Sequence, residues 1–167
     1  MEKQTWKHKV RPIMELATCL GIELSDGSIA LIDFEDRAIV EGWNWSANKT
    51  RSGIYAQRGD GNRAIRLHNE IAGPKSDHKN RNTLDNRRSN LRPATAAQNS
   101  QNRRCASNNK SGFKGVSFRS DRGTWLATIR KRKIGTFRNP EAAARAYDAV
   151  AAEVFGEFAV FNFPANA

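Results

Sequence analysis

Up to about Leu67 the chain alternates short apolar runs with turn residues, a pattern of strands and tight connections rather than of long helices. Gly21-Ile22-Glu23-Leu24 and Ile29-Ala30-Leu31-Ile32 flank Ser25-Asp26-Gly27-Ser28, which predicts a hairpin. Ile54-Tyr55-Ala56 and Ala64-Ile65-Arg66-Leu67 flank Gly59-Asp60-Gly61-Asn62 and predict a second. Trp43 and Trp45, two apart, are expected on one face of a strand, packing rather than stacking on bases. His68 follows Leu67 in an apparently alternating strand and is assigned a structural role.

Residues 75–104 read as strand, loop, strand and helix. Asn80-Arg81-Asn82-Thr83 and Asp85-Asn86 are turn formers, so they predict the loop of a long hairpin. Thr95, with Gln98 three residues on, forms a capping box and starts a helix near Ala96. On that helix Asn99 is expected to face the hairpin, with Asn102 on the same side. The polar run at 106–112 predicts a linker. Beyond it, residues 113–119, 124–130 and 134–137 predict three strands. A helix follows, with Asn139 as N-cap, Pro140 in the first position, Glu141 in the first turn and Gly156 past the end. The class is α+β.

Charge changes the picture by where it sits. Residues 1–60 hold 8 Lys and Arg against 9 Asp and Glu, residues 61–104 hold 10 against 3, and residues 105–167 hold 10 against 5. The net charge of +11 attracts a polyanion, and Lys and Arg contacts to phosphate supply much of such affinity. Cys19 and Cys105 have no partners at metal-ligand spacing, which excludes a zinc finger and a disulfide framework. With no signal-peptide pattern and no apolar run of membrane-spanning length, an intracellular, soluble protein is expected.

The chemistry sits at Asp77-His78. An imidazole with a pKa near 6.5 is mostly neutral at physiological pH and serves as a general base. The adjacent carboxylate is a hard oxygen ligand, and an asparagine carbonyl supplies another, a set suited to Mg²⁺ or Mn²⁺ rather than zinc. His78 is the candidate base, with Asp77 and Asn99 the candidate ligands. Asn90 is expected to hold the imidazole through a ring N–H hydrogen bond.

The ordered set D-H, D-N-R-R-S-N-L-R and Q-N-S-Q-N-R-R, preceded by L-H-N-E-I-A-G, resembles the HNH endonucleases of the phage and homing type. The resemblance implies a ββα-metal motif over about 67–104, with Asp77 and Asn99 as metal ligands, His78 as base and Asn90 as the orienting asparagine. Ser76 and Lys79 depart from the apolar residues that often flank the Asp-His pair. Arg87, Arg88, Arg92, Arg103 and Arg104 are expected to hold the DNA backbone.

From Ser111 to Pro164 the chain resembles an AP2 DNA-binding domain, through G-F-K-G-V, T-W-L-A-T-I-R, I-G-T-F, P-E-A-A-A-R-A-Y-D and F-G-E-F-A-V-F-N-F. In that family a three-stranded antiparallel sheet enters the major groove and one helix packs behind it. The resemblance nominates Lys114, Arg119, Trp125, Thr128 and Arg130 for base contacts, and Arg122 and Arg132 for phosphates. Between Ile129 and Ile134 only Arg130-Lys131-Arg132-Lys133 is present, so the second and third strands are expected to be shortened.

The organisation expected is an HNH domain over 1–104, a linker over 105–112 and an AP2-like domain over 113–167. The function expected is a Mg²⁺-dependent, homing-type endonuclease on double-stranded DNA, acting as a monomer or weak dimer, with no membrane or small-molecule partner. The rivals are a non-catalytic AP2-type DNA-binding regulator carrying a degenerate HNH scaffold, and an RNA-binding protein.

Overall fold

The computed structural model describes residues 10–103, 105 and 109–164. The chain divides into two compact units, Met1–Thr95 and Ala96–Ala167. Both are α+β, built from small antiparallel sheets and few helices.

In the first unit, β1 (Ile13–Glu15), β2 (Leu20–Glu23) and β3 (Ile29–Ile32) form one sheet in chain order. The expected turn joins β2 to β3: Asp26 Oδ1 accepts from Ser28 N at 3.1 Å, and Leu24 N donates to Ser28 O at 2.8 Å. A second sheet holds β4 (Ser46–Thr50), β5 (Gly53–Asp60) and β6 (Arg63–Arg66), with a two-residue turn between Asp60 and Arg63. Between the sheets runs α1 (Arg37–Val40). The buried core joins Leu20, Ile22 and Ile32 to Trp45, Ala56, Leu67 and Leu91.

Two expectations fail here. Trp43 and Trp45 precede β4 rather than lying in a strand, and their surroundings are opposite, at 46% and 1% exposed. Trp45 fills the core while Trp43 lies under the Arg58 guanidinium, 4.1 Å from its ring centroid. His68 belongs to helix α2 (Leu67–Ala72), not to a strand, because the β5–β6 hairpin ends at Arg66 and Leu67 turns into the core.

A third, two-stranded sheet pairs β7 (Ser76–His78) with β8 (Leu91–Pro93), followed by α3 (Ala96–Gln101). The expected strand, loop, strand and helix are therefore present. The division between units falls at the start of α3 rather than after residue 104. Within the second unit the Lys114 ammonium donates to Gln101 O and, at 2.8 Å, to Arg103 O.

The second unit arranges β9 (Val116–Arg119), β10 (Thr124–Ile129) and β11 (Arg132–Phe137) in the order β11-β10-β9, packed on α4 (Pro140–Phe155). Asn139 caps α4, its Oδ1 accepting from Ala142 N at 2.8 Å. Ala143, Ala144 and Ala151 are fully buried, which lets the helix lie close to the sheet. Gly115 marks the closest approach: at φ 76°, a Cβ there would stand 2.1 Å from Tyr147 Cδ2. The end of the expected linker is an ordered turn, in which Ser111 Oγ donates to Val116 O at 2.9 Å.

The β10–β11 hairpin is tightly closed. The strands pair up to Ile129 and Arg132, and Arg130-Lys131 close them as a two-residue turn with φ of 45° and 65°. Both residues sit in the left-handed region that such a turn requires and that Asn-Gly ordinarily fills.

Candidate functional site

His78 ends β7, directly across from Leu91, and every residue of that strand is buried. Asp77 faces Arg92 across the ladder, with Nη2 to Oδ2 at 3.2 Å. His78, next in the strand, meets a different set. Its Nε2 lies 3.2 Å from Asn86 Oδ1, its ring packs edge-on against His68 at 4.9 Å between centroids, and Tyr55 stands at 6.1 Å.

The Asn86 amide decides the tautomer. Its Nδ2 donates to Leu84 O at 3.1 Å, so Oδ1 accepts and His78 Nε2–H is the donor. Neutral His78 then keeps its lone pair on Nδ1. Burial pushes the His78 pKa below its usual value, opposed by the Asn86 hydrogen bond and by the Asp77 and Asp85 carboxylates. Burial also drives His68 down to about 3, helped by His78 and Arg66. Both rings are neutral at physiological pH.

The loop at 79–90 is held by its own amides. Asn90 Oδ1 accepts from Asn80 N at 3.0 Å, and Asn90 Nδ2 donates to Asp85 O at 2.7 Å. Asn80 Oδ1 accepts from Asn82 N at 2.7 Å, and Asn82 Oδ1 from Leu84 N at 3.2 Å. The amides replace a ladder that this loop cannot form. Asn90 was expected to hold the imidazole. Its amide is instead spent inside the loop, and Asn86, read in the sequence only as a turn former, takes that place.

The β-rich leader, which offered no chemistry by itself, locates the loop. Leu31 N donates to Leu84 O at 2.7 Å and Asn86 N to Leu31 O at 2.8 Å, so β3 clamps the chain on both sides of Asp85 and holds the backbone of Asn86, the residue that orients His78. Thr83 Oγ1 donates to Ile54 O at 2.6 Å, and a Cβ on Gly53 would lie 2.6 Å from Thr83 Oγ1. Arg88 N donates to Asp33 Oδ2 at 2.7 Å, and its guanidinium reaches the fully buried Asp36 at 2.6 Å.

Three arginines expected on DNA are therefore engaged within the protein. Arg87 forms two hydrogen bonds to Asp85, at 2.7 and 2.9 Å. Arg88 is held by Asp36 and Glu35. Arg92 is buried against Asp77, which removes it from any surface. Arg103 is exposed, and Arg104 lies outside the described residues.

Asn99, on α3 in the second unit, is exposed, whereas Asn102 is buried. Among the described residues no group of three His, Cys, Asp or Glu is gathered in metal-binding geometry. A cation beside Asp77 would thus have few protein donors and would draw on water and phosphate oxygens, the habit of Mg²⁺ rather than of zinc. The hard carboxylate beside a neutral imidazole fits that mode.

In the second unit, strand alternation separates two faces. Val116, Ala127 and Ile129 point to α4, and Trp125 packs with them and against Phe118, whose ring centroid is 5.0 Å away. Trp125, expected at DNA bases, thus belongs to the helix side, and Lys114 is drawn to the end of α3. The opposite face carries Arg119, Ser117, Leu126, Thr136, Thr128 and Lys133 by register. Arg119 makes two hydrogen bonds of 3.1 Å to Asp121, and Arg122 is exposed 3.6 Å from the same carboxylate. Arg130 leans over the Phe155 ring at 5.1 Å, and Lys131, Arg132 and Lys133 are exposed. The register places Lys133 beside Thr128.

Among the described residues no helix is long and apolar enough to cross a membrane. No family model matches the chain, and no solved structure matches it. It is similar to a protein of Acanthamoeba polyphaga mimivirus named as an uncharacterized HNH endonuclease, with 38% identity over 86 residues, or 52% of this chain. The chain spans about half the length of that curated relative, 46% of it. This distant likeness supports the HNH nuclease family for the part of the chain that it covers.

Proposed function

We propose that the chain is a metal-dependent HNH endonuclease acting on double-stranded DNA, with His78 as general base. The observation that carries this reading is the buried imidazole of His78, its Nε2 on Asn86, next to the Asp77 carboxylate. The name of the viral relative supports the same reading.

His78 Nδ1 takes a proton from water as the water oxygen bonds to phosphorus. The P–O3′ bond breaks and the 3′ oxygen takes up a proton from solvent, giving 5′-phosphate and 3′-hydroxyl ends. Asp77 would hold the Mg²⁺, and a bound cation would offset charge on the phosphate and leaving oxygen. Asn86 fixes the imidazole, and Asn90 fixes the loop that presents Asn86. The three-stranded sheet of the second unit supplies an AP2-like DNA surface, centred on Arg119, Thr128 and Lys133 with the basic turn at Arg130-Lys131. A homing role follows from the resemblance.

The test is conversion of supercoiled plasmid with Mg²⁺, comparing wild type, His78→Ala and an EDTA control, on plasmids with and without phage or host inserts. Metal-dependent cutting lost in His78→Ala establishes the reading. Intact plasmid throughout, with tight duplex binding, establishes the non-catalytic regulator instead.

A further inference from the structure

Among the described residues of the first unit, no carboxylate forms an ion pair with Arg66. It lies on β6 opposite Gln57, half-buried, with its guanidinium 4.7 Å over the Tyr55 ring. Its neighbours differ: Arg58 faces Glu70, Arg87 faces Asp85, Arg88 faces Asp36 and Arg92 faces Asp77. Among the described residues, the Tyr55 ring is the contact the structure gives the Arg66 guanidinium. Partly burying a charge without a counter-ion costs stability, and a site that maintains such a charge is built for an anion.

The position of Tyr55 says which anion. The ring that supports Arg66 also meets His68 at 5.6 Å and His78 at 6.1 Å between centroids. The uncommitted guanidinium and the imidazole thus share one aromatic platform. A planar fork of N–H donors matches two oxygens of one phosphate, which a point charge does not.

We propose that Arg66 is a catalytic residue that binds the non-bridging oxygens of the scissile phosphate beside His78. The inference rests on the endonuclease reading and adds to it a cation that comes from the β6 edge rather than from the basic segment after His78. Arg66 would hold the diester in line with the water that His78 activates and offset the negative charge that grows on those oxygens during attack.

The test compares wild type with Arg66→Ala, Arg66→Lys and Arg66→Gln. Arg63→Ala is the control, being exposed at the tip of the same hairpin, opposite Asp60. Cleavage is measured at saturating protein, duplex affinity is measured against salt in EDTA, and melting checks the fold. In Arg66→Ala the cleavage rate should fall by about 10²-fold or more, as for loss of one transition-state donor. The salt slope of binding should fall by about one. Arg66→Lys should recover part of the rate, and Arg63→Ala should leave it within about threefold. Arg66→Gln replaces the alanine variant if that one melts early. A cleavage rate in Arg66→Ala equal to that of Arg63→Ala overturns the inference. If wild type itself does not cut, the endonuclease reading fails, and the binding arm decides for Arg66. A slope lowered by about one then retains the phosphate contact, and an unchanged slope removes it.

Discussion

Asn86 Oδ1 lies 3.2 Å from His78 Nε2, and the same amide donates to Leu84 O at 3.1 Å, so one side chain fixes both the orientation and the tautomer of the candidate base. Asn86 is itself held by Leu31 of β3 through its backbone N–H. The geometry of the candidate base is thus set by a strand far away in sequence.

Replacing Asn86 with Ala should therefore affect cutting and folding together. It removes the acceptor that Asn86 Oδ1 gives the buried ring N–H, a cost of about 1–3 kcal/mol, while Leu84 O keeps its bond from Leu31 N. Urea unfolding measures that loss, and the nicking rate should fall by roughly 10-fold or more as the tautomer is released. Asn86→Asp should shift the acid limb of the nicking profile to higher pH, because a carboxylate favours the imidazolium. A rate in Asn86→Ala equal to wild type would show that the hydrogen bond orients nothing needed for cutting.

The paired imidazoles predict how stability depends on pH. His68 is lowered from 6.5 to about 3, so within that interval the unfolded chain binds a proton that the folded chain does not. Stability is full above pH 6.5 and is lost progressively as the pH falls toward 3. His68→Phe, which keeps a ring against His78, should flatten that slope in urea denaturation between pH 7 and pH 4. An unchanged slope would locate the pH dependence elsewhere.

The Asp77–Arg92 pair gives a test of metal binding independent of cleavage. Arg92→Ala removes the buried guanidinium facing the carboxylate and should cost about 3–5 kcal/mol. Mg²⁺ should restore part of the loss in that variant, since ligand binding to the folded state stabilises it. The melting temperature measured with and without Mg²⁺ checks this. A variant whose melting ignores Mg²⁺ would count against Asp77 as a ligand.

At the β10–β11 turn, stability and DNA affinity should move in opposite directions. Arg130 and Lys131 both hold positive φ, at a cost of about 1 kcal/mol or more each for a side chain in the left-handed region. Replacing them with Asn-Gly should raise stability by about that amount while weakening duplex binding and lowering the salt slope by up to about two. Denaturation and salt-dependent anisotropy on one variant read both effects. Unchanged affinity would mean that the turn does not touch DNA.

The core of the second unit is tested at one glycine. Gly115→Ala places a methyl group where Tyr147 stands, 2.1 Å from Cδ2, and does so at φ 76°. Overpacking and backbone strain together should cost about 2–4 kcal/mol. Circular dichroism melting measures it.

The sequence by itself determined the local elements. Asn139 and Pro140 start α4 and Gly156 ends it, because capping and left-handed geometry depend on a residue and its near neighbours. The hairpins around 25–28 and 59–62, and the order of strand, loop, strand and helix through His78, were legible for the same reason. What only the tertiary structure decided was the partner of each polar group. Whether Asn86 or Asn90 meets His78, whether Arg92 faces DNA or Asp77, and whether Trp43 is buried with Trp45 depend on tertiary packing, which propensity does not register. His68 shows the limit most directly. Leu-His-Asn fits an alternating strand or the first turn of a helix equally well, and the choice came from Leu67 entering a core made by strands far upstream.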